Sequence, residues 1–285
     1  MKVFDRIAVR ALADMFLPRL CCVCGEELGR NETFICLGCL SELPLTYSWA
    51  SRRNPMSERF NALIERNGYP LQDAELQKFE ESADGNETPK EASCERDSYE
   101  RYVYAVSLFK FVKDGGYRNI TYRLKYGSDL AEGRFFSAML GERAAEASWM
   151  QDVDAVVPVP LHWSRKLRRG YNQSEIIASE LAKALGAALR TDLLVRRHRT
   201  KTQTKLSLEE KARNVAGAFA VNGKLMKHRH QGQTPEEIAD VLNLRHILLV
   251  DDVFTTGSTL YNCYLPLKKF FGENVRISIA TLGLV

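Results

Sequence analysis

The chain has 285 residues, 45% of them hydrophobic, with 40 Lys or Arg against 36 Asp or Glu for a formal charge of +4. That size and apolar content argue for a globular protein of about two domains, one sizeable core plus a smaller module, and against a chain with no core. No segment reaches the roughly 18 apolar residues needed to cross a bilayer, so no membrane insertion is expected and the expected compartment is the cytoplasm.

The charge is unevenly spread. Residues 161–215 hold 13 basic against 5 acidic side chains, and residues 71–100 hold 10 acidic against 3 basic. A basic block of that size suits a polyanionic ligand such as pyrophosphate, or nucleic acid, or simply a solvated charged face.

Taken in chain order, Met1 to Leu20 places Val3, Phe4, Ile7, Leu12, Phe16 and Leu17 between Asp5, Arg6, Arg10 and Asp14. The spacing predicts a short amphipathic helix without the uninterrupted apolar core of a signal peptide. Five of the seven cysteines follow, as Cys21, Cys22 and Cys24, then Cys36 and Cys39. Two Cys-x-x-Cys knuckles 11 residues apart can wrap one structural Zn²⁺ tetrahedrally, with Gly25 and Gly38 supplying tight turns. Spacing favours Cys21 with Cys24, although Cys22 competes for the first ligand position, and a redox or disulfide pair is the alternative. So short a segment cannot bury a real core, and the metal would supply its folding free energy. Residues 1–50 are therefore read as a zinc module.

Residues 51–100 read as a connector and an acidic insertion. Asn54 to Tyr69 is helical or turn-rich, and Gln72 to Asp97 is acidic, poor in aromatics and punctuated by Gly85 and Pro89. From residue 101 to 285, strands alternate with helices. Tyr102 to Phe111 predicts a strand, and Arg123 to Tyr126 follow a Gly115-Gly116 turn. Ser128 is placed to cap a helix toward Trp149, and Val153 to Val159 predicts a buried strand. Ser174 starts a helix ending near Gly186. Thr234 to Glu237 forms a capping box, and Val275 to Leu282 is a closing strand. Pro266 is an expected kink. Such alternation implies an α/β domain, a mostly parallel twisted sheet with helices on both faces.

Between these elements lies a basic constellation. The strand ending at Val159 leaves through Pro158 and Pro160 and delivers Arg165, Lys166, Arg168 and Arg169 within five residues, followed by Tyr171, Asn172 and Gln173. Arginines placed beyond a strand end can grip phosphate oxygens bidentately. Lys125 is either an anion contact or a surface lysine, Tyr171 either stacks on a base or sits in the core, and His162 reads as structural rather than catalytic. His228 and His230 read as exposed. The stretch Arg199 to Ser207 lacks apolar periodicity and mixes cations with amide and hydroxyl donors, as in a loop that closes over a bound anion.

Residues 247–259 carry most of the chemistry. Ile247 to Val250 predict a buried strand that runs into Asp251 and Asp252 and then into Thr255, Thr256, Gly257, Ser258 and Thr259. Ligands of open α/β sheets bind just beyond the carboxyl ends of such strands. There, consecutive amides and hydroxyls and the next helix N-terminus can cradle a phosphate. Carboxylates beside a phosphate cradle suit a ribose 5-phosphate, its vicinal hydroxyls on the acids and its phosphate in the loop.

This segment closely resembles the phosphoribosyl-pyrophosphate (PRPP) signature of type I phosphoribosyltransferases. That resemblance implies a type I phosphoribosyltransferase-like fold, PRPP as ligand and Mg²⁺ held through its pyrophosphate. With the cysteine knuckles, Phe16-Leu17-Pro18, Leu124-Lys125-Tyr126, Pro158 through Gln173, Arg199-Thr200 with Gln203, and Arg213-Asn214, the chain resembles the ComF family of competence-associated proteins. The acidic insertion and the polar stretch Lys224 to Asn243 are longer than that pattern needs. Membership implies a part in DNA uptake. The expected activity is PRPP binding with a possible pentosyl transfer, for which the residues offer no identifiable general base. The alternative is a non-catalytic accessory protein that binds single-stranded DNA, and a helicase partner, through the basic groove and the zinc module.

Overall fold

A computed structural model describes residues 18–67, 102–112, 115–127, 130–197, 217–223, 225 and 232–285, without the side chains of Arg165 and Asn274. Outside the described residues lie most of the expected amphipathic helix, the acidic stretch 72–97, Ser128, the Arg199 to Ser207 loop, Arg213, Asn214, His228 and His230.

Helices α1 (Leu37–Ser41) and α2 (Pro55–Arg66) precede strand β1 (Ala105–Lys110). Next come α3 (Arg118–Tyr126), α4 (Leu130–Glu146), β2 (Ala155–Pro158), α5 (Trp163–Arg169) and α6 (Gln173–Leu185). Short strands β3 (Ala188–Leu189), β4 (Leu194–Arg196) and β5 (Phe219–Val221) lead to α7 (Pro235–Val241). The chain closes with β6 (His246–Phe254), α8 (Ser258–Phe271) and β7 (Arg276–Leu284).

Local chemistry accounts for these boundaries. Asn54 opens α2 by accepting the Met56 and Ser57 amides while the Ser57 hydroxyl accepts the Asn54 amide, a capping box followed by Pro55 in the first turn. The same reciprocal pair, Thr234 and Glu237, opens α7 as its sequence predicts. Asn172, not Ser174, caps α6 by accepting the Ser174 amide at 3.2 Å, and Gly186 closes the helix in the left-handed conformation. Pro266, the expected kink position, lies inside α8, and the helix is continuous through it to Phe271.

Five strands form one sheet in the order β1-β7-β6-β2-β3, with parallel pairing throughout. β4 and β5 form a separate antiparallel pair. Strand alternation sorts the core into two clusters. Ala105, Ala155, Val157, Ile247, Leu249, Ile277 and Ile279 pack with Phe60 of α2 and Leu260, Tyr264 and Leu267 of α8. Val106, Leu108, Val156, Leu248, Val250, Ala280 and Leu282 pack with Phe136 and Leu140 of α4 and Ile177 and Leu181 of α6. Helices therefore cover both faces, and each fully buried aliphatic or aromatic side chain contributes about 1.5–3 kcal/mol.

Two differences from the sequence expectation matter for the site. β1 begins at Ala105 rather than Tyr102. β6 continues four residues past Val250, because Asp251, Val253 and Phe254 pair with Thr281, Gly283 and Leu284 of β7. The aspartates thus occupy the last turns of a paired strand rather than the loop after it. The connection after β2 runs over one face through α6, and the one after β6 runs over the other through α8. The carboxyl ends of β2 and β6 are consequently where the chain reverses direction across the sheet, the position at which such sheets form a crevice.

Candidate functional site

The Sγ atoms of Cys21, Cys24, Cys36 and Cys39 all lie within 4.8 Å of one another. Zn–S bonds of about 2.3 Å at tetrahedral angles require sulfurs about 3.8 Å apart. Cys24 and Cys36 stand at 3.8 Å. The amides of Cys36 and Cys39 point at the sulfurs of Cys21 and Cys36, each at 3.4 Å, which stabilises thiolate over thiol. Burial works against the Cys21 thiolate, but hydrogen bonds from the knuckle bring its pKa down to about 6. Cys22 takes no part: it is buried in the core, where desolvation and the Glu132 charge push it up to about 12. All the described cysteines are free thiols. Four sulfurs, with no other donor grouped with them among the described residues, fit a closed structural site for a thiophilic ion such as zinc.

Near the carboxyl end of β6, Asp251 and Asp252 hold different environments. Asp252 is buried, and its Oδ2 pairs with the ammonium of Lys125 at 2.8 Å. Asp251 accepts the Ser174 hydroxyl at 3.1 Å and the Asp252 amide at 2.9 Å. Burial and the neighbouring Asp252 charge raise Asp251 to about 7, outweighing these hydrogen bonds and Lys125. Burial alone would depress Lys125, but the charge and hydrogen bond of Asp252, with Asp251 behind it, raise it, so it stays an ammonium.

The loop beyond is short. Thr255 and Thr256 are exposed, and Gly257 stands at φ +75°, the left-handed conformation that starts α8. The Thr256 and Ser258 hydroxyls bond each other at 2.8 Å, and Thr259 lies in the first turn of α8. Among the described residues no acceptor takes the Thr255 or Thr256 amide.

The basic constellation divides. Lys125, Tyr126, Arg168, Arg169 and Tyr171 line an open cavity of about 830 Å³. The Arg169 guanidinium lies 5.0 Å from the Tyr126 ring centre, and its buried Nε has no hydrogen-bond partner among the described residues. Arg168 is exposed, and Lys166 is held by Glu175 at 3.1 Å. Arg165 belongs to α5 by its backbone. Asn172 and Gln173 are buried, and the Asn172 amide group donates to the Val159 carbonyl at 3.0 Å, so its role is to fasten α6 to β2. Tyr171 directs its hydroxyl to the carbonyls of Leu124 and Gly127, both at 2.8 Å, fixing the end of α3 that carries Lys125. His162 caps α5 through its Nδ1, in keeping with a structural histidine.

Sequence reasoning missed Ser174 and Tyr126. A serine two residues after Asn172 reads as a helix cap, and only the long β6 brings Asp251 to it. Tyr126 was legible as part of the Leu124-Lys125-Tyr126 motif, but not as a partner of Arg169.

No family model matches the chain. The fold and site define an α/β protein whose parallel sheet presents an acidic pair at a crevice, joined to a four-cysteine cluster. The chain is 31% identical over 124 residues to competence protein F of Haemophilus influenzae, covering 44% of this chain and 48% of that protein. It is 36% identical over 118 residues to the DNA utilization protein YhgH of Salmonella typhimurium, covering 41% and 44%. Against YhgH of Escherichia coli K12 the figures are 33% over 117 residues, 41% and 44%. The matched region spans less than half the length of these curated relatives. These competence and DNA utilization proteins are what the chain is similar to, in keeping with the ComF family that its motifs resemble. Among the described residues, no helix is long and apolar enough to cross a membrane.

Proposed function

We propose that the crevice at the carboxyl ends of β2 and β6 binds a phosphorylated ribose, PRPP or a related ribose 5-phosphate, on a type I phosphoribosyltransferase-like fold, in a protein of DNA uptake. One observation carries the reading: Asp251 and Asp252 lie in the last four residues of a central strand, which leads into a loop whose Thr255 and Thr256 amides no backbone acceptor takes among the described residues. In this arrangement the carboxylates take the ribose hydroxyls, and residues Thr255 to Thr259 take the 5-phosphate at the α8 N-terminus. Arg168 and Arg169, with Arg165 and Arg199, take pyrophosphate. Mg²⁺ would neutralise that pyrophosphate and is held mainly by the ligand. Lys125 would exchange Asp252 for a phosphate oxygen as ligand enters. The zinc module serves folding and DNA or helicase contact. The relatives' names, competence and DNA utilization, support the DNA-uptake setting.

Isothermal titration with PRPP and Mg²⁺ tests the pocket. The wild type should bind, and the double change Asp251→Asn and Asp252→Asn should weaken binding at least about tenfold. A silent wild type, or an unaffected variant, overturns the reading. The cavity that sets Arg168 and Arg169 beside Tyr126 favours a second reading, a groove for single-stranded DNA in which cations follow phosphates and an aromatic ring meets bases. Its affinity should fall with salt and fall further on replacing both arginines by alanine. A flat salt dependence excludes it.

A further inference from the structure

Arg59 lies on α2, in the connector, away from every motif that pointed to the site, yet it reaches the loop between β6 and α8. Its guanidinium stands 5.2 Å from the Phe254 ring centre, and it donates to the Thr255 carbonyl and to a main-chain oxygen of Val285. The Val285 amide in turn donates to the Phe254 carbonyl at 2.9 Å. A trans peptide unit holds its C=O and N–H on opposite sides. Fastening the Phe254 and Thr255 carbonyls around Arg59 and Val285 therefore turns the Thr255 and Thr256 amides the other way, away from that anchor. Successive amides turned to one side form an anion-binding concavity. Leu63, one turn along α2, backs the same loop: a Cβ on Gly257 would stand 2.9 Å from the Phe254 ring and 3.3 Å from Leu63 Cδ2. Gly257 is thus packed between the Phe254 ring and α2, with no space for a side chain.

We infer that Arg59 is a positioning residue, the clamp that holds the Thr255 and Thr256 peptides with their amides presented to an anionic phosphate group. It touches no ligand itself; it acts through the two carbonyls. The inference rests on the proposed ribose phosphate site.

The test uses full-length, zinc-loaded protein with ribose 5-phosphate as probe, in wild type, Arg59→Met and Arg59→Lys. Methionine keeps an apolar stem against Phe254 and removes the donors; lysine restores one charged donor. Titration calorimetry should show a loss of about tenfold in affinity for Arg59→Met, the size expected for one charge-assisted hydrogen bond, with partial recovery in Arg59→Lys. Amide resonances of Thr255 and Thr256 should shift on adding probe to the wild type and stay fixed in Arg59→Met, a readout that thermal stability alone would not move. A wild type that binds while Arg59→Met binds equally well overturns the Arg59 role and leaves the site standing. A wild type that gives no heat and no shift overturns the site, and the clamp with it.

Discussion

Asp251 is the residue where stability and the proposed function oppose each other. In the folded chain its pKa is raised from the ordinary 3.8 to about 7, mainly through burial and then through Asp252. Above pH 7 the folded protein carries a carboxylate it would shed if it could, whereas the unfolded chain ionises freely. Asp251→Asn should therefore raise the unfolding free energy at pH 8 by about 2 kcal/mol, a few degrees in Tm, while removing ribose phosphate binding. Calorimetric melting with and without probe checks both halves; a variant that melts lower and still binds contradicts the assignment. At this scale the sequence showed residue types well and partnerships poorly. The paired aspartates, the threonine loop and the four metal-spaced cysteines were legible because each is contiguous or regularly spaced. The ion pair of Lys125 with Asp252 and the hydroxyl of Ser174 on Asp251 were not, since the fold alone brings together residues so far apart along the chain.

At the scale of elements, α3 joins the cysteine module to the acid pair. Its first turn is fastened to the cysteine module, where the Tyr117 hydroxyl donates to the Cys39 carbonyl at 2.9 Å and Gly116 lies against the Val23 backbone. Its last turn is fastened by Tyr171 and carries Lys125 to Asp252. Gly116 is the weak point of this strut. Exchanging glycine for alanine at an unstrained position ordinarily stabilises by about 0.4–1 kcal/mol. Here the new Cβ would stand 2.1 Å from the Val23 carbonyl oxygen, and a backbone atom between Cys21 and Cys24 of the four-cysteine cluster cannot step aside cheaply. Overpacking of this kind costs about 1–3 kcal/mol, so the sign reverses. Gly116→Ala should be destabilised and should release zinc to a chelator faster than wild type; equal release rates would show that the contact carries no strain. The Gly115-Gly116 pair reads in sequence as a turn, which it is. What the sequence could not show is that the turn is packed against the metal knuckle. Elements with strong caps or long alternation, α2, α6, α7, β2, β6 and β7, were readable within a few residues. The two- and three-residue strands β3, β4 and β5 were not, because so short a run has no period to detect.

Over the whole molecule, β6 carries two titrating groups of opposite effect at its two ends. His246, at the first position, is fully buried, with Nδ1 2.9 Å from Asp152 and Nε2 2.8 Å from the Ser278 hydroxyl. The arrangement has the order of a nucleophilic triad, but Ser278 is 0% exposed, so no substrate reaches it and the network is structural. Burial lowers His246 to about 4, against a small opposing pull from Asp154. A depressed histidine contributes stability that is complete above pH 6.5 and is lost as pH falls toward 4, because the unfolded chain takes up the proton first. Asp251 acts in reverse: with its folded pKa near 7, the native state takes up the proton first, so stability rises as pH falls from 7 toward 3.8. Between pH 7 and pH 5 each contribution amounts to about 2 kcal/mol, with opposite sign. The two contributions should therefore largely cancel in the wild type, whose urea midpoint should change less across that window than that of a variant lacking one of them. Asp251→Asn removes one side of the balance, so its midpoint should decline steadily from pH 7 to pH 5, although it exceeds wild type at pH 8. A variant profile as flat as the wild type would mean that the two ends of β6 do not offset each other, and that the acid pair lies in a more open, better solvated crevice than its burial indicates.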